Sequence, residues 1–271
     1  MNASDALIKT LVSNGLEVIF ANPGTSEMHL VASIDNNPEI RPVLGLFEGV
    51  VTGAADGYAR MAEKSAANLL HLGPGLGNGF ANIHNAKKAR SPLLNIVGDH
   101  ATYHLKHNAP LTSDLDNLAK SSSDWVGRSK SSEDICDLAN IAWQQANSLP
   151  GQISTLIVPA DSAWGEFKGN IPKPLKKEEF ASIDEQLIPN SAEVLKVDNS
   201  ILYLGGKFLN EECVNLAAKI ASKTGCRLVT DTFVSRIRRG EGLPVLEQIP
   251  YFAESAADFL KDSSGIVFIG S

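Results

Sequence analysis

Cysteine is scarce in this chain. Its 271 residues include only Cys136, Cys213 and Cys226, and no two of them form a C-x-x-C pair. This usage excludes a disulfide framework and a cysteine-based zinc site, and it favours a reducing compartment. No apolar run approaches the roughly 18 residues that a membrane-spanning helix needs, and the N-terminus lacks the basic and apolar regions of a signal peptide. We therefore expect a cytoplasmic protein with no membrane partner.

Basic residues are fewer than acidic residues. The chain carries 24 Lys and Arg against 31 Asp and Glu, a formal net charge of −7, which gives no basis for broad nucleic-acid binding. It lacks the motifs G-x-x-x-x-G-K-[ST] and G-x-S-x-G, and its glycine-rich stretch at 73–79 fails the G-x-G-x-x-G spacing. These absences disfavour an unrelated nucleotide-binding oxidoreductase.

Three histidines lie close together in the stretch 99–107. His100, His104 and His107 have a spacing that could build a metal site on a helix. No glutamate completes a metalloprotease pattern, and Pro110 follows closely. We interpret the stretch as a loop, either beside an active site or simply solvated, and we expect no metal ligand in this chain.

Apolar runs alternate with helix-like stretches over the first 165 residues. The pattern predicts strands near 17–21, 41–47, 66–72, 92–97 and 153–159, and helices near 3–14, 26–35, 49–62, 78–90 and 132–148. Such alternation predicts a doubly wound α/β domain with a parallel sheet at 1–165. The Pro- and Lys-containing stretch 166–190 predicts a linker, and the shorter pattern at 191–271 predicts an incomplete second α/β domain.

Glu48 is the most informative single residue. It follows the apolar run 42–47, which predicts a buried strand, and it opens a small-residue stretch that predicts a helix. Burial favours the protonated form of a carboxyl group, whereas a helix N-terminus favours the ionised form. A carboxyl group under such competing influences is a candidate for proton chemistry.

The helix after Glu48 carries glycine at three positions that share one face. Gly49, Gly53 and Gly57 are four residues apart. Each glycine inside a helix costs about 1 kcal/mol relative to alanine, so another element must approach this backbone closely. That element is either part of the same chain or the matching helix of a symmetric dimer, and the sequence leaves both open.

The segment 73–79, Gly-Pro-Gly-Leu-Gly-Asn-Gly, predicts a turn between a strand and a helix. Backbone N–H groups of such a turn can face a ligand. His71 precedes it, at the strand end where open α/β sheets bind ligands. His71 is therefore either a satisfied core histidine or a residue of the site.

Three segments together resemble the N-terminal pyrimidine-binding domain of thiamine diphosphate enzymes. They are residues 18–24 (Val-Ile-Phe-Ala-Asn-Pro-Gly), Glu48 followed by the ADGYAR stretch at 55–60, and Gly73-Pro74-Gly75 with Asn78. The resemblance covers about residues 1–165 and is strongest to acetolactate synthase large subunits and benzoylformate decarboxylases. The remainder looks like the first half of the family's central domain.

The resemblance implies a role for Glu48. The matching glutamate hydrogen-bonds N1′ of the cofactor's aminopyrimidine, and the activated cofactor attacks a small 2-oxo acid, which leads to decarboxylation or carboligation. The resemblance also implies that Thr25 and His71 contact the substrate or shuttle protons. The implied cofactor-binding residues are Pro23, Gly24, Glu48, Gly73, Pro74, Gly75 and Asn78.

Departures from the family pattern limit these expectations. Relatives hold the diphosphate through magnesium with a Gly-Asp-Gly motif, which this sequence lacks. The resemblance therefore implies a chain that supplies only the pyrimidine side, is inactive alone and forms a homodimer or homotetramer. It could be part of a longer enzyme, one subunit of a split decarboxylase, or a non-catalytic remnant. FAD, which some synthase relatives bind, has no supporting residue here.

Overall fold

The computed structural model describes residues 1–176 and 182–270. The chain divides into two compact units, Met1–Glu179 and Phe180–Ser271. This division falls inside the stretch 166–190 that we predict as a linker, of which 177–181 lie outside the described residues. Phe167 is buried in the core of the first unit, so the beginning of that stretch packs with the first unit.

Six parallel strands form one sheet among the described residues of the first unit. They are β1 (Val18–Asn22), β2 (Arg41–Leu44), β3 (Ala66–His71), β4 (Leu93–Asp99), β5 (Trp125–Arg128) and β6 (Ile153–Pro159). Their order across the sheet is β2-β1-β3-β4-β6-β5. The helices are α1 (Ala3–Ser13), α2 (Met28–Asp35), α3 (Glu48–Ala62), α4 (Leu72–Lys88), α5 (Leu115–Ser122), α6 (Ile135–Asn147) and α7 (Ala160–Trp164).

Helices cover both faces of this sheet. Apolar residues of α1, α2 and α6 share one core with the sheet, whereas those of α3, α4 and α5 share the other. The predicted doubly wound α/β fold is thus confirmed. The chain leaves β1 in one direction to β2 and returns on the other side to β3, so the strand order reverses between β1 and β3. Open α/β sheets bind ligands beyond the carboxyl ends of strands at such a point.

The predicted burial of the strand before Glu48 is wrong. β2 is an edge strand, and the side chains of Leu44 and Leu46 are 70% and 92% exposed. An apolar run indicates a strand, but it does not reveal whether the strand lies at the centre or the edge of a sheet.

The predicted turn at 73–79 is also wrong, because these residues lie within the first turns of α4. Leu72, Leu76 and Ile83 are buried at helical spacing, and their packing against the sheet outweighs the low helix propensity of the glycines. Pro74 is tolerated because it sits in the first turn, where backbone N–H groups have no partner within the helix.

The glycines of α3 do not form a single contact surface. A Cβ on Gly53 would stand 3.1 Å from Asn82 Nδ2 of α4, so its close neighbour belongs to the same chain. A Cβ on Gly49 would meet the Phe47 ring at 2.4 Å, whereas Gly57 has nothing within 4 Å. Packing within the chain therefore explains the glycines at 53 and 49. It does not explain Gly57.

The second unit contains a smaller parallel sheet. Its described strands are β7 (Ile201–Leu204), β8 (Arg227–Thr230), β9 (Glu247–Gln248) and β10 (Ile266–Ile269), in the order β10-β7-β8-β9. The accompanying helices are α8 (Leu187–Leu195), α9 (Glu211–Thr224) and α10 (Ala253–Leu260). In neither unit does any described helix have the length and apolar character needed to cross a bilayer.

Candidate functional site

The structure brings Glu48 and His71 to the same crevice, beyond the carboxyl ends of β1 and β3. Gly75 of α4 lies between them. A Cβ on Gly75 would stand 3.4 Å from Glu48 Oε1 and 3.5 Å from the Cβ of His71. The absence of a side chain at Gly75 therefore keeps open the space into which Glu48 presents one oxygen.

Glu48 is the first residue of α3 and is 9% exposed. Its Oε2 atom accepts a hydrogen bond from Asn78 Nδ2 at 3.0 Å. No protein donor among the described residues pairs with Oε1. The carboxyl group is thus held by one oxygen, and the other remains available to a ligand atom.

Contacts between α3 and α4 fix the backbone of Glu48. The Thr52 hydroxyl donates to the Glu48 carbonyl at 2.9 Å and lies 3.1 Å from the Gly79 carbonyl. The Asn82 side-chain amide donates to the Gly49 carbonyl at 2.6 Å. These bonds tie the first turn of α3 to α4, which also carries Gly75 and Asn78.

Glu27 belongs to the same crevice, although it is not among the predicted site residues. It ends a 3₁₀ turn, Thr25–Glu27, and is fully buried. Its Oε2 atom accepts the Gly24 N–H at 2.7 Å and lies 2.8 Å from His71 Nδ1. The available sequence signal was the spacing Gly24-x-x-Glu27, in which an acidic side chain returns to the backbone N–H three residues earlier.

Burial raises the pKa of Glu27 above its usual range, because a charged carboxylate is poorly solvated in this position. The Gly24 N–H and the His71 imidazole oppose that shift. Glu27 therefore holds a proton more tightly than an exposed glutamate does, while its Oε2 atom fixes the orientation of the His71 ring.

Two glycines make room for the Glu27–His71 pair. A Cβ on Gly24 would stand 2.4 Å from the His71 ring, and one on Gly98 would stand 1.7 Å from Glu27 Oε1. Gly24, a predicted cofactor-binding residue, thus has a packing role against His71. Gly98 of β4 was not predicted, because its neighbour Glu27 is distant in the sequence.

The backbone is strained immediately after His71. Leu72 has a φ angle of 53°, in the left-handed region, and its side chain is buried. This conformation costs a residue other than glycine about 1–2 kcal/mol. It persists here because packing fixes the passage from β3 into α4, and such strain often accompanies functional sites.

The remaining predicted site residues make fewer contacts with the Glu48 and His71 side chains or with their hydrogen-bond partners. Thr25 is exposed, and its side chain forms no hydrogen bond with the part of the chain that the structure describes; Pro23 is partly buried. Pro74 is exposed in the first turn of α4, whereas a Cβ on Gly73 would stand 2.1 Å from Ser113 Oγ. The segment after β4 therefore packs directly on the beginning of α4. Within residues 1–176 and 182–270, no cluster of His, Cys, Asp and Glu could hold a metal ion.

Comparison with known proteins defines the class. Residues 1–119 match the family model for the thiamine pyrophosphate enzyme N-terminal TPP-binding domain. These residues lie within the first unit and are an N-terminal domain of the thiamine diphosphate-dependent enzyme type. The predicted family is thus confirmed.

Individual relatives give a finer picture. The chain is 45% identical, over its whole length, to the "Putative acetolactate synthase large subunit IlvX" of Mycobacterium tuberculosis H37Rv, of which it covers 52%. It is 28% identical to benzoylformate decarboxylase of Pseudomonas aeruginosa PAO1, over 80% of this chain and 42% of that protein. The chain therefore spans about half the length of these relatives.

The fold also matches a solved structure. A thiamine diphosphate-dependent 4-hydroxybenzoylformate decarboxylase from Rhodococcus jostii RHA1 superposes with a TM-score of 0.89 at 23% identity, over the whole of this chain and 52% of that one. At this identity the likeness establishes the shared fold.

The residues of the crevice fit the pyrimidine part of thiamine diphosphate. An aminopyrimidine needs a carboxyl oxygen for a ring nitrogen and an open space for the ring. Glu48 Oε1 provides the oxygen, and the space that a Cβ on Gly75 would fill lies directly beside it.

Proposed function

We propose that this chain binds thiamine diphosphate and supplies the pyrimidine side of a site for decarboxylation or carboligation of a small 2-oxo acid. The observation that carries the proposal is the buried Glu48, with one oxygen held by Asn78 and the other facing the space beside Gly75. The bound cofactor would supply an electron sink for the carbanion formed when carbon dioxide leaves. Because the chain has no Gly-Asp-Gly motif, the magnesium-bound diphosphate would be held by residues outside it.

Glu48 would share a proton with the pyrimidine ring nitrogen. Its location suits this task because Asn78 engages only Oε2 and the bonds from Thr52 and Asn82 fix the first turn of α3. A carboxyl group held in a single orientation loses little conformational freedom when it binds the ring.

His71 would exchange protons with the substrate or product. Glu27 Oε2 lies at His71 Nδ1, so the second ring nitrogen, Nε2, is the one left to face a reactant. When Nδ1 carries its proton towards Glu27, Nε2 is an acceptor with a fixed direction.

An assembly contact would cover the surface beside the site. The side chains of Leu44, Leu46 and Val50 are 70%, 92% and 61% exposed around the entry to α3, where Glu48 lies. Exposed apolar patches of this kind mark interaction surfaces. We propose that a second copy covers this patch in a homodimer, or in a homotetramer built from such dimers.

Light scattering on the purified chain tests the assembly. Leu46→Asp places a charge in the centre of the patch, and we expect it to shift the population from dimer to monomer. Val245→Asp, at an 83% exposed position of the second unit, is the matched control. A monomeric wild type, or a Leu46→Asp variant that keeps the dimer mass, would refute the proposed surface.

Exchange of the cofactor's thiazolium C2 proton, followed by NMR in deuterated water with magnesium and excess cofactor, tests the function. The wild-type chain should accelerate this exchange above the rate in solution. Glu48→Gln should remove about 100-fold or more of that acceleration, because an amide cannot share the proton. Glu39→Gln, at an exposed position, should leave it unchanged. An exchange rate that Glu48→Gln does not alter would rule out the role proposed for Glu48.

A further inference from the structure

Two buried polar atoms, one on the carboxyl group that contacts His71 and one on the residue that follows β4, have no hydrogen-bond partner among the described residues. One is Glu27 Oε1 and the other is His100 Nε2. Unpaired buried polar atoms are uncommon, because each forfeits its bonds to water. Two of them on neighbouring segments therefore call for a common explanation.

Strand β4 passes Glu27 at Gly98 and leads directly to His100. Glu27 Oε1 lies against Gly98, since a Cβ there would stand 1.7 Å away. The next residue, Asp99, points to the opposite face and pairs with Arg128 at 2.6 Å. Side chains alternate along an extended strand, so a continuation of β4 by one residue would bring His100 to the face of Gly98.

The hydrogen bonds of Glu27 determine where its proton resides. Its Oε2 atom already faces the Gly24 N–H and His71 Nδ1, at 2.7 and 2.8 Å. The proton of a neutral Glu27 therefore belongs on Oε1, where it is a donor without an acceptor. His100 Nε2 can provide the missing acceptor, through a bridging water molecule, when the proton of that ring is on Nδ1.

A row of imidazole rings continues from His100 to the surface. The ring centroids of His100 and His104 are 5.7 Å apart, and those of His104 and His107 are 5.5 Å apart. His104 and His107 are exposed. Asp161 holds the start of this segment, because its carboxylate accepts bonds from the Thr102 N–H and hydroxyl.

We propose that His100 is the positioning residue through which the buried Glu27 carboxyl exchanges its proton with solvent, and that His104 and His107 extend the path to the surface. The proton leaves Glu27 Oε1 for His100 Nε2 through a bridging water molecule. His100 then releases a proton from its other nitrogen towards His104, and the reverse steps restore the neutral carboxyl. Only protons move, so water is the sole co-reactant.

This path rests on the proposed function in one respect, since it would reset the protonation of the Glu27–His71 pair between turnovers. Histidine suits the task because its ring has two nitrogens, so a proton can be accepted at one and released from the other. The charged groups nearest in sequence are Lys106, which is exposed, and Asp99, whose charge is already paired with Arg128.

Infrared spectroscopy of the purified chain tests the proposal without any turnover. A neutral buried Glu27 gives a carboxylic-acid carbonyl band, which Glu27→Gln should remove. After rapid dilution into deuterated water, this band shifts as the acid proton exchanges. We expect His100→Gln to slow the exchange about tenfold or more, because glutamine keeps a polar side chain but cannot relay a proton.

Two further variants make the result specific. His104→Gln, on an exposed segment, should slow the exchange by a smaller factor, whereas His84→Gln, exposed on α4 and outside the path, should not change it. Each variant must keep the wild-type thermal midpoint. Wild-type exchange in a folded His100→Gln chain, equal slowing in His84→Gln, or no band assignable to Glu27 would each overturn the proposal. Because the cofactor's C2 exchange is measured separately, failure of one proposal is distinguishable from failure of the other.

Discussion

Glu27 and Glu48 both lie at the crevice beyond β1 and β3, one on each side of the sheet. Glu27 is completely buried, and one of its oxygens faces a backbone N–H and an imidazole of the same chain. Glu48 is also largely buried, but its only protein donor among the described residues is the Asn78 amide, and its second oxygen faces the space beside Gly75.

The difference separates two tasks that a carboxyl group can perform. Glu27 is buried away from the ligand space, and its hydrogen bond orients the His71 ring. Glu48 keeps one oxygen within reach of a bound ring. Pairs of ionisable groups in contrasting environments are how protein sites divide proton-transfer roles. Two kinds of substitution test this difference. One replaces a glycine that packs against a carboxyl group, and the other replaces a glutamate with the uncharged glutamine.

Gly98→Ala should have the largest effect on stability, because the added methyl group would overlap the tightly packed Glu27 side chain. The new Cβ would stand 1.7 Å from Glu27 Oε1, while the other oxygen is held by Gly24 and His71. Overpacking of this kind costs about 1–3 kcal/mol of unfolding free energy. Urea unfolding of the purified chain measures the loss.

A double-mutant cycle provides the control for Gly98→Ala. In a Glu27→Ala background the carboxyl group is absent, so Gly98→Ala should cost much less than it does alone. Contacting residues show such non-additivity, whereas distant ones do not. Equal costs in both backgrounds would mean that Gly98 does not confine Glu27.

Glu27→Gln should change the pH dependence of stability. Because burial raises the pKa of Glu27, the folded chain binds more protons than the unfolded chain once the pH exceeds the ordinary glutamate value. The contribution of Glu27 to the unfolding free energy is therefore full at low pH and is lost as pH rises towards the folded pKa. Glutamine does not ionise, so the stability of the variant relative to wild type should increase with pH.

Urea unfolding at several pH values between about 5 and 8 follows this difference. Glu39→Gln replaces an exposed glutamate, and its stability relative to wild type should stay constant over the same range. A constant difference for Glu27→Gln as well would show that the folded state does not retain the Glu27 proton.

Local patterns in the sequence were sufficient to predict the elements that carry Glu48 and His71. The alternation of apolar runs and helix-like stretches identified β1, β3, β4 and β6, and the small-residue stretch identified α3 with Glu48 at its start. His71 was placed correctly at the end of β3 because a strand ends where its apolar run meets the glycines.

The wrong predictions concern features that depend on tertiary contacts between segments distant in the sequence. Whether β2 is an edge strand depends on the strand order, and α4 extends over 73–79 because Leu72 and Leu76 are buried. The sequence patterns predict no helix or strand at 98–131, but this stretch contains α5 and β5. Glu27 was missed because its partners Gly98 and His71 are close only in the folded chain. The direct roles of Thr25, Pro23, Gly73 and Pro74 towards a ligand stay predictions.

The smallest expected effect compares two glycines of α4. Alanine stabilises a helix interior by about 0.5–1 kcal/mol relative to glycine. Gly77 is exposed, and a Cβ there would have nothing within 4 Å, so Gly77→Ala should gain this amount and leave the cofactor's C2 exchange unchanged. Gly75→Ala should gain less, because its Cβ would stand 3.3 Å from the carbonyl carbon of Leu70 and 3.4 Å from Glu48 Oε1.

Gly75→Ala should also slow the cofactor's C2 exchange, since the methyl group occupies the space that Glu48 Oε1 faces. Thermal unfolding and C2 exchange measured on both variants separate the effect on the helix from the effect on the site. If Gly75→Ala stabilises the chain as much as Gly77→Ala and exchange continues at the wild-type rate, the open oxygen of Glu48 does not depend on Gly75. The difference between Glu48 and Glu27 would then lie only in their hydrogen-bond partners, since Glu48 is bonded by Asn78 alone among the described residues.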